Sequence, residues 1–282
     1  MTLLDGKATA KKHKARIAEE TFALKAKGIT PGLAVVIVGG DPASRQYVDN
    51  KKKDCAQCGI YSEEHALPGD CDQAHLLALL DGLNRRADIH GILVQLPLPK
   101  HLDEKRVLLA IDPAKDVDAF HPFNVGRIMI GDYDFAPCTP AGVMALLDEY
   151  DIPVEGKTCV VVGRSNIVGK PQAMLLLHRH GTVTLCHSRT RDLGALTRTA
   201  DILVAAVGRE GLITADMVKE GAAVVDVAMN RSAEGKWVGD VRFDEVAGKA
   251  AYLTPVPGGV GPMTRVMLLW NTLKAAKQRA DQ

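Results

Sequence analysis

The chain has 282 residues, 46% of them hydrophobic, and its 35 Lys and Arg balance 34 Asp and Glu to a formal net charge of +1. That length suits a large core or two domains, and the near-neutral balance gives no electrostatic case for nucleic acid or an anionic membrane as partner. No apolar run approaches the roughly 20 residues that cross a bilayer, and the start MTLLDGKATAKKHK lacks the pattern of a signal peptide, so a cytoplasmic location is expected.

Helix and strand patterns then alternate. Residues 7–27 read as an amphipathic helix with Asp5 before it and Gly28 as its stop. LAVVIVG (33–39) reads as a buried strand. Ser44 is placed to cap a helix running to about Gln57, YSEEHAL (61–67) fits a second strand, and 72–86 is helical. GILVQLP (91–97) is a third strand ended by proline, and 102–111 another helix. This order implies a mostly parallel sheet covered by helices. Residues 112–142 read as one long irregular stretch, of the length that is usually functional or linking. Thr139 as cap and Pro140 at the first helical position then start a helix. The second half repeats the alternation, with strands at 158–163, 182–188, 202–208, 222–228 and 250–256 and a closing helix at 264–277. The expectation is an α/β protein of two domains, 1–138 and 139–263.

Of six cysteines, Cys55 and Cys58 form a CxxC. Zinc needs a second ligand pair of suitable spacing, so the two read as small apolar groups closing a helix, and no metal is expected. In VVVGRSNIVGKP (160–171) the spacing differs from a triphosphate loop, and no hydroxyl follows Lys170 to hold magnesium. A dinucleotide loop fits better: Gly163 allows the tight turn and Gly169 a close helix–strand contact, with Ser165 in place of the middle glycine. The next strand ends in HSRT, without the acid that holds a ribose 2′-hydroxyl. Ser188, Arg189 and Arg164 instead suit a 2′-phosphate, hence NADP; the plainer alternative is a set of solvated loop residues.

In the first half, Tyr47 and Lys51 are four apart and share one helix face just beyond a strand's carboxyl end. Gln95 is the only polar side chain in GILVQLPLP, and Lys51 is its nearest plausible partner. A partly buried lysine can lose its proton near neutral pH and act as a base. Asp116 and Asp118 lie in the long loop, and Asp118 is suited to an amino-pyrimidine edge. Each has a plainer reading: a solvated charge in KKK, a backbone cap, a turn residue.

YVDNK (47–51), VQLPLP (94–99), KDVDAFHPFNVGR (115–127), PCTPAGVM (137–144), GRSNIVGKP (163–171), TVTLCHSRT (182–190) and TPVPGGVGPMT (254–264) follow in this order. With these motifs the chain closely resembles, over its whole length, the bacterial bifunctional methylenetetrahydrofolate dehydrogenase/methenyltetrahydrofolate cyclohydrolase (FolD) family. The resemblance implies an N-terminal parallel-sheet catalytic domain, a Rossmann-like NADP-binding domain, and a last helix (264–282) packing back on the first. It implies oxidation of 5,10-methylenetetrahydrofolate with NADP, then hydrolysis to 10-formyltetrahydrofolate, by a homodimer. Lys51 would be the key catalytic lysine, assisted by Tyr47 and tuned by Gln95. Asp118 would hold the pterin edge, and Pro257, Gly258 and Gly259 would line the folate side. Gly163, Arg164, Ser165, Ser188 and Met229 match cofactor-contacting positions. Ala119 and Ala228 stand where the family usually has glycine. Two other readings are a dehydrogenase with little hydrolytic activity and a non-catalytic folate- or nucleotide-binding regulator.

Overall fold

The structure is a computed structural model that describes residues 1–280. In chain order the elements are β1 (Thr2–Leu3), α1 (Gly6–Lys25), β2 (Gly32–Val38), α2 (Pro42–Gln57), β3 (Tyr61–Leu67), α3 (Gln73–Arg85), β4 (Gly91–Val94), α4 (Glu104–Leu109), α5 (Pro122–Ile130) and α6 (Cys138–Glu149). They continue with β5 (Thr158–Val162), α7 (Gly169–His178), β6 (Thr182–Cys186), α8 (Leu193–Thr197), β7 (Ile202–Ala205), β8 (Ala223–Asp226), β9 (Asn230–Arg231), β10 (Trp237–Val238), α9 (Phe243–Ala247), β11 (Tyr252–Leu253) and α10 (Val260–Ala280). The chain divides into two compact units: Met1–Lys11 with Pro137–Thr264, and Lys12–Ala136 with the chain from Arg265 onward.

The second of these holds a parallel three-stranded sheet in the order β3-β2-β4. All seven residues of the central strand are buried, as expected of a strand covered on both faces. Ala34, Val36, Leu76, Leu80, Ile92 and Val107 share one core, and each valine, leucine or isoleucine among them stabilises by about 1.5–3 kcal/mol. Helix α2 starts one turn earlier than the sequence implies: Asp41, not Ser44, is its cap, accepting from Ser44 N at 2.7 Å. Residues 112–142 are not irregular throughout. Helix α5 forms there, with Pro122 in its first turn, His121 Nδ1 accepting from Phe123 N at 3.1 Å, and Gly131 closing it at φ 80.

The other unit holds a six-stranded parallel sheet in the order β1-β11-β8-β7-β5-β6. Val160, Leu203, Ala205, Val224 and Leu253 lie in its core. The first eleven residues belong with this unit, because β1 pairs with β11; a two-residue strand carries no readable period. Thr139 does not cap α6, whose cap position is Pro137 without a side-chain bond; its hydroxyl meets Thr264 Oγ1 at 3.0 Å. The short hairpin β9–β10 is a further element that sequence patterning does not reveal.

All six cysteines are free and buried. Burial pushes the Cys55 thiol up to about 12 and the Cys58 thiol up to about 11, so the CxxC packs as apolar groups. No described helix is long and apolar enough to cross a membrane.

Candidate active site

In the three-stranded unit, β2 ends at Val38 and feeds α2, so Tyr47 and Lys51 lie beyond the carboxyl end of the central strand. Gln95 follows β4 directly, and its N–H continues the ladder to Val36 O at 2.8 Å. The two elements meet in one hydrogen bond: Lys51 Nζ donates to Gln95 Oε1 at 3.0 Å. The amide is oriented by its other end, since Gln95 Nε2 donates to Leu96 O at 2.7 Å. Its oxygen therefore faces the amine. Both side chains are half-buried. Gln95 is a neutral acceptor, so it holds the amine without adding the negative charge that would favour the ammonium form. Tyr47, one turn earlier on the same face, is 38% exposed.

Asp118 reaches the same sheet edge by another route. Asp116 pairs in parallel with Ile92 of β4, and the chain runs two residues further to a half-buried Asp118. Asp116 is 2% exposed and shapes the turn that follows. It accepts from Phe120 N at 3.2 Å, His121 N at 2.8 Å and Asn124 Nδ2 at 2.8 Å. Burial holds its carboxyl above the ordinary range. Ala119, inside that turn, sits at φ 57 with no exposed surface. An alanine in this left-handed region costs roughly 1–2 kcal/mol, which the Asp116 bonds offset. Ala228, the second position where glycine is usual, is not at positive φ and carries no such strain.

In the six-stranded unit the order reverses at β5, which has β6 on one side and β7 on the other. Ligands bind beyond the carboxyl ends at such a point. A side chain at Gly163 (φ 128) would lie 2.2 Å from Ala206 O, and one at Gly169 would lie 1.9 Å from Gly163 O. Helix α7 therefore starts against the end of β5, as a dinucleotide turn requires. Ser165 Oγ accepts from Val168 N at 3.2 Å and Gly169 N at 3.3 Å and so rigidifies the turn. Val162 pairs with Cys186, and Gly163 N donates to Cys186 O at 2.9 Å. Exposed Arg164 thus follows one strand, and exposed Ser188 and Arg189 follow its neighbour. The tight turn His187–Thr190 fixes the latter pair, with His187 N donating to Thr190 Oγ1 at 2.8 Å and Arg189 N to His187 Nδ1 at 3.0 Å. No acid stands at this strand end. The glycine contacts and this donor set fit NADP.

Met229, 36% exposed, lines a shallow pocket with Ala228, Pro257, Gly258 and Gly259. The structure thus brings the proline–glycine loop together with a residue expected on the cofactor side. Beneath lies a carboxylate pair that sequence reasoning missed. Asp226 closes β8 and accepts from Ala228 N, Asp240 N and Val241 N at 3.2, 3.1 and 2.8 Å. Burial, with the Asp240 charge adding to it, pushes Asp226 up to about 7. Asp240, with no exposed surface, accepts from Val207 N at 2.6 Å, Gly208 N at 3.1 Å, Arg209 N at 2.6 Å and Asn230 Nδ2 at 3.1 Å. The two acids fasten the loops after β7 and β8. One signal was present: Gly239 leaves room that a side chain would take, 1.8 Å from Asp226 Oδ2.

Comparison with known proteins agrees in both halves. A relative from Moorella thermoacetica called bifunctional protein FolD is 61% identical over 276 residues, covering 98% of this chain and 99% of the relative. One of the same name from Anaeromyxobacter dehalogenans is 59% identical, covering 99% and 100%. The crystal structure of the Campylobacter jejuni bifunctional FolD superimposes with a TM-score of 0.97 at 53% identity, over 99% of each chain. That of the Trypanosoma brucei enzyme complexed with NADP cofactor and an inhibitor gives 0.95 at 40% identity, over 100% of this chain and 99% of that one. With residues 4–118 matching the catalytic-domain model and 137–280 the NAD(P)-binding-domain model, this chain belongs to the tetrahydrofolate dehydrogenase/cyclohydrolase family.

Proposed function

We propose that the chain oxidises 5,10-methylenetetrahydrofolate with NADP and hydrolyses the resulting methenyl cation to 10-formyltetrahydrofolate, with Lys51 as the working base. The observation that carries this reading is the Lys51–Gln95 hydrogen bond at the sheet edge of a chain whose two halves both match the family. A single coupled assay tests it by following NADPH and formyl product together. Both should appear from methylenetetrahydrofolate; NADPH without formyl product would reduce the protein to a dehydrogenase, and neither would make it a binder.

When bound, NADP accepts a hydride from the methylene carbon, which leaves a cation shared over two nitrogens. A neutral Lys51 amine suits that charge, because an ammonium group beside it would be repelled. One Nζ hydrogen bonds Gln95, which holds the amine in place for the next step. Water adds to the cationic carbon and gives one proton to Nζ. The carbon–N5 bond then breaks as the carbonyl forms, and the second proton passes to N5. The positive charge leaves as the proton on Lys51. Asp118 accepts two N–H bonds from the amino-pyrimidine edge, and Tyr47 contacts the substrate from the Lys51 face; Pro257, Gly258 and Gly259 are the further folate contacts that the family implies.

Gly163 and Ser165 would hold the pyrophosphate side of NADP, Met229 its nicotinamide half, and Arg164, Ser188 and Arg189 the 2′-phosphate. Arg164→Ala should therefore weaken NADP by about tenfold while leaving NAD nearly unchanged. Equal weakening of both in fluorescence titrations would contradict the 2′-phosphate assignment. We also assign the protein to the cytoplasm as a homodimer. Six reduced cysteines suit a reducing compartment, and the family it resembles is dimeric.

A further inference from the structure

The three-stranded unit contains a cavity of about 670 Å³ that Tyr47, Lys51, Gln95 and Asp118 do not line. That volume lies in the range of small-molecule sites. Its walls include Lys115, Phe123, Arg127, Phe135, Gln278 and Arg279. Lys115 is 2% exposed. Its Nζ donates to Leu83 O at 2.9 Å and Arg86 O at 2.6 Å. Arg279 Nη1 donates to the same Arg86 O at 3.2 Å and to Ile89 O at 3.5 Å. Two cations thus converge on one carbonyl. Among the described residues, every hydrogen bond from these two side chains goes to a main-chain carbonyl.

The acids on the same wall are engaged elsewhere. Asp134 takes Arg127 and Gln278, and Asp112 Oδ1 accepts from Ala114 N at 2.9 Å. A buried ammonium group without a carboxylate against it is costly. The molecule shows that cost: burial first, and the Arg279 charge second, push Lys115 down to about 8. Asp112 and Asp88 act against this shift and Arg86 with it. An anion in the cavity would relieve both the desolvation and the like-charge repulsion. Phe123, 57% exposed, offers an apolar ring face beside it.

We propose that this cavity is a second ligand site, taking a small organic anion whose carboxylate or phosphate group bridges Lys115 Nζ and Arg279 while its apolar body lies against Phe123. The site adjoins the loop that carries Asp118: Lys115 precedes Asp116 directly, and Asn124, on the cavity wall, donates to Asp116. A bound anion is therefore one hydrogen bond removed from the carboxylate that shapes the substrate loop.

The test uses the full chain saturated with NADP, so that phosphate cannot act at the nucleotide loop. The Lys115 amine is titrated by side-chain NMR with inorganic phosphate or benzoate as probe, against chloride at matched ionic strength. Either probe should raise the Lys115 midpoint by about one pH unit. A response to phosphate alone assigns a phosphate group, and one to benzoate alone a carboxylate. Arg279→Gln should abolish the response and leave dehydrogenase activity unchanged. Removal of Asp281 and Gln282, which lie outside the described residues, should leave it intact. The proposal is overturned by a midpoint that neither probe moves, by an equal shift with chloride, or by an undiminished response in Arg279→Gln. It is equally overturned if truncation alone lowers the midpoint, since the chain's own terminal carboxylates would then fill the site.

Discussion

Lys51→Met is expected to slow ring opening of supplied methenyltetrahydrofolate by about 10²–10⁴-fold, the range a positioned general base contributes. That corresponds to roughly 3–5 kcal/mol of lost transition-state stabilisation. Methionine keeps most of the stem volume and removes only the amine that donates to Gln95 Oε1 at 3.0 Å. Both residues are half-buried, so water can satisfy the abandoned amide oxygen. Stability should therefore change by no more than about 0.5 kcal/mol. Decay of methenyl absorbance at fixed pH reads the rate, and a thermal melt reads the fold. A rate loss below about tenfold would mean that another group takes the water proton.

Asp240→Ala should cost about 3–5 kcal/mol of stability. It strands three main-chain N–H groups, of Val207, Gly208 and Arg209, and the Asn230 amide. Each orphaned donor costs about 1–3 kcal/mol, reduced where water enters the space left behind. NADP affinity should fall as well, because the loops after β7 and β8 lose their common anchor. The pH dependence separates this from generic damage. Asp226 stands at about 7 in the folded chain against an ordinary 3.8, with the Asp240 charge as one cause. Between those values the folded state holds a proton that the unfolded state has released. This group's contribution is thus complete below about pH 4 and is lost as pH rises through about 7. Without the Asp240 charge that fall should flatten. Melts across this range decide the matter: a variant with the parent's stability and slope would show that the two acids do not act together.

Much of this organisation was legible in the chain. The strand YSEEHAL occupies Tyr61–Leu67, and the lysine–glutamine pairing followed from one amide at the end of an apolar run and, of the three lysines on the helix, the one that shares a face with Tyr47. The turn at Gly163 and Gly169 was readable because only glycine fits where a side chain would meet backbone within about 2 Å. What escaped were features whose cause is not local. Helix α5 is only nine residues long and lay inside a stretch rich in turn formers, although Pro122 and Gly131 marked its ends. Asp41 outcompeted Ser44 as a cap because helices begin where a side chain reaches the third amide, whichever acceptor looks better in sequence. Strand β1 has two residues and gains its identity only from β11, some 250 positions away. Asp116 read as a loop acid, Asp226 lay inside the expected strand 222–228, and Asp240 carried no pattern; the weight of all three comes from burial and from the amides folded around them. The cation pair Lys115 and Arg279 is likewise assembled from the middle and the end of the sequence.

A double-mutant cycle on the ring-opening rate tests most directly whether the amine at position 51 works through the amide at position 95. Lys51→Met, Gln95→Leu and the double variant are compared with the parent under saturating methenyl substrate. If the two side chains form one unit, the double variant will be no slower than the worse single variant, because the second change removes a partner already idle. Rate losses that multiply, each independent of the other, would contradict the account.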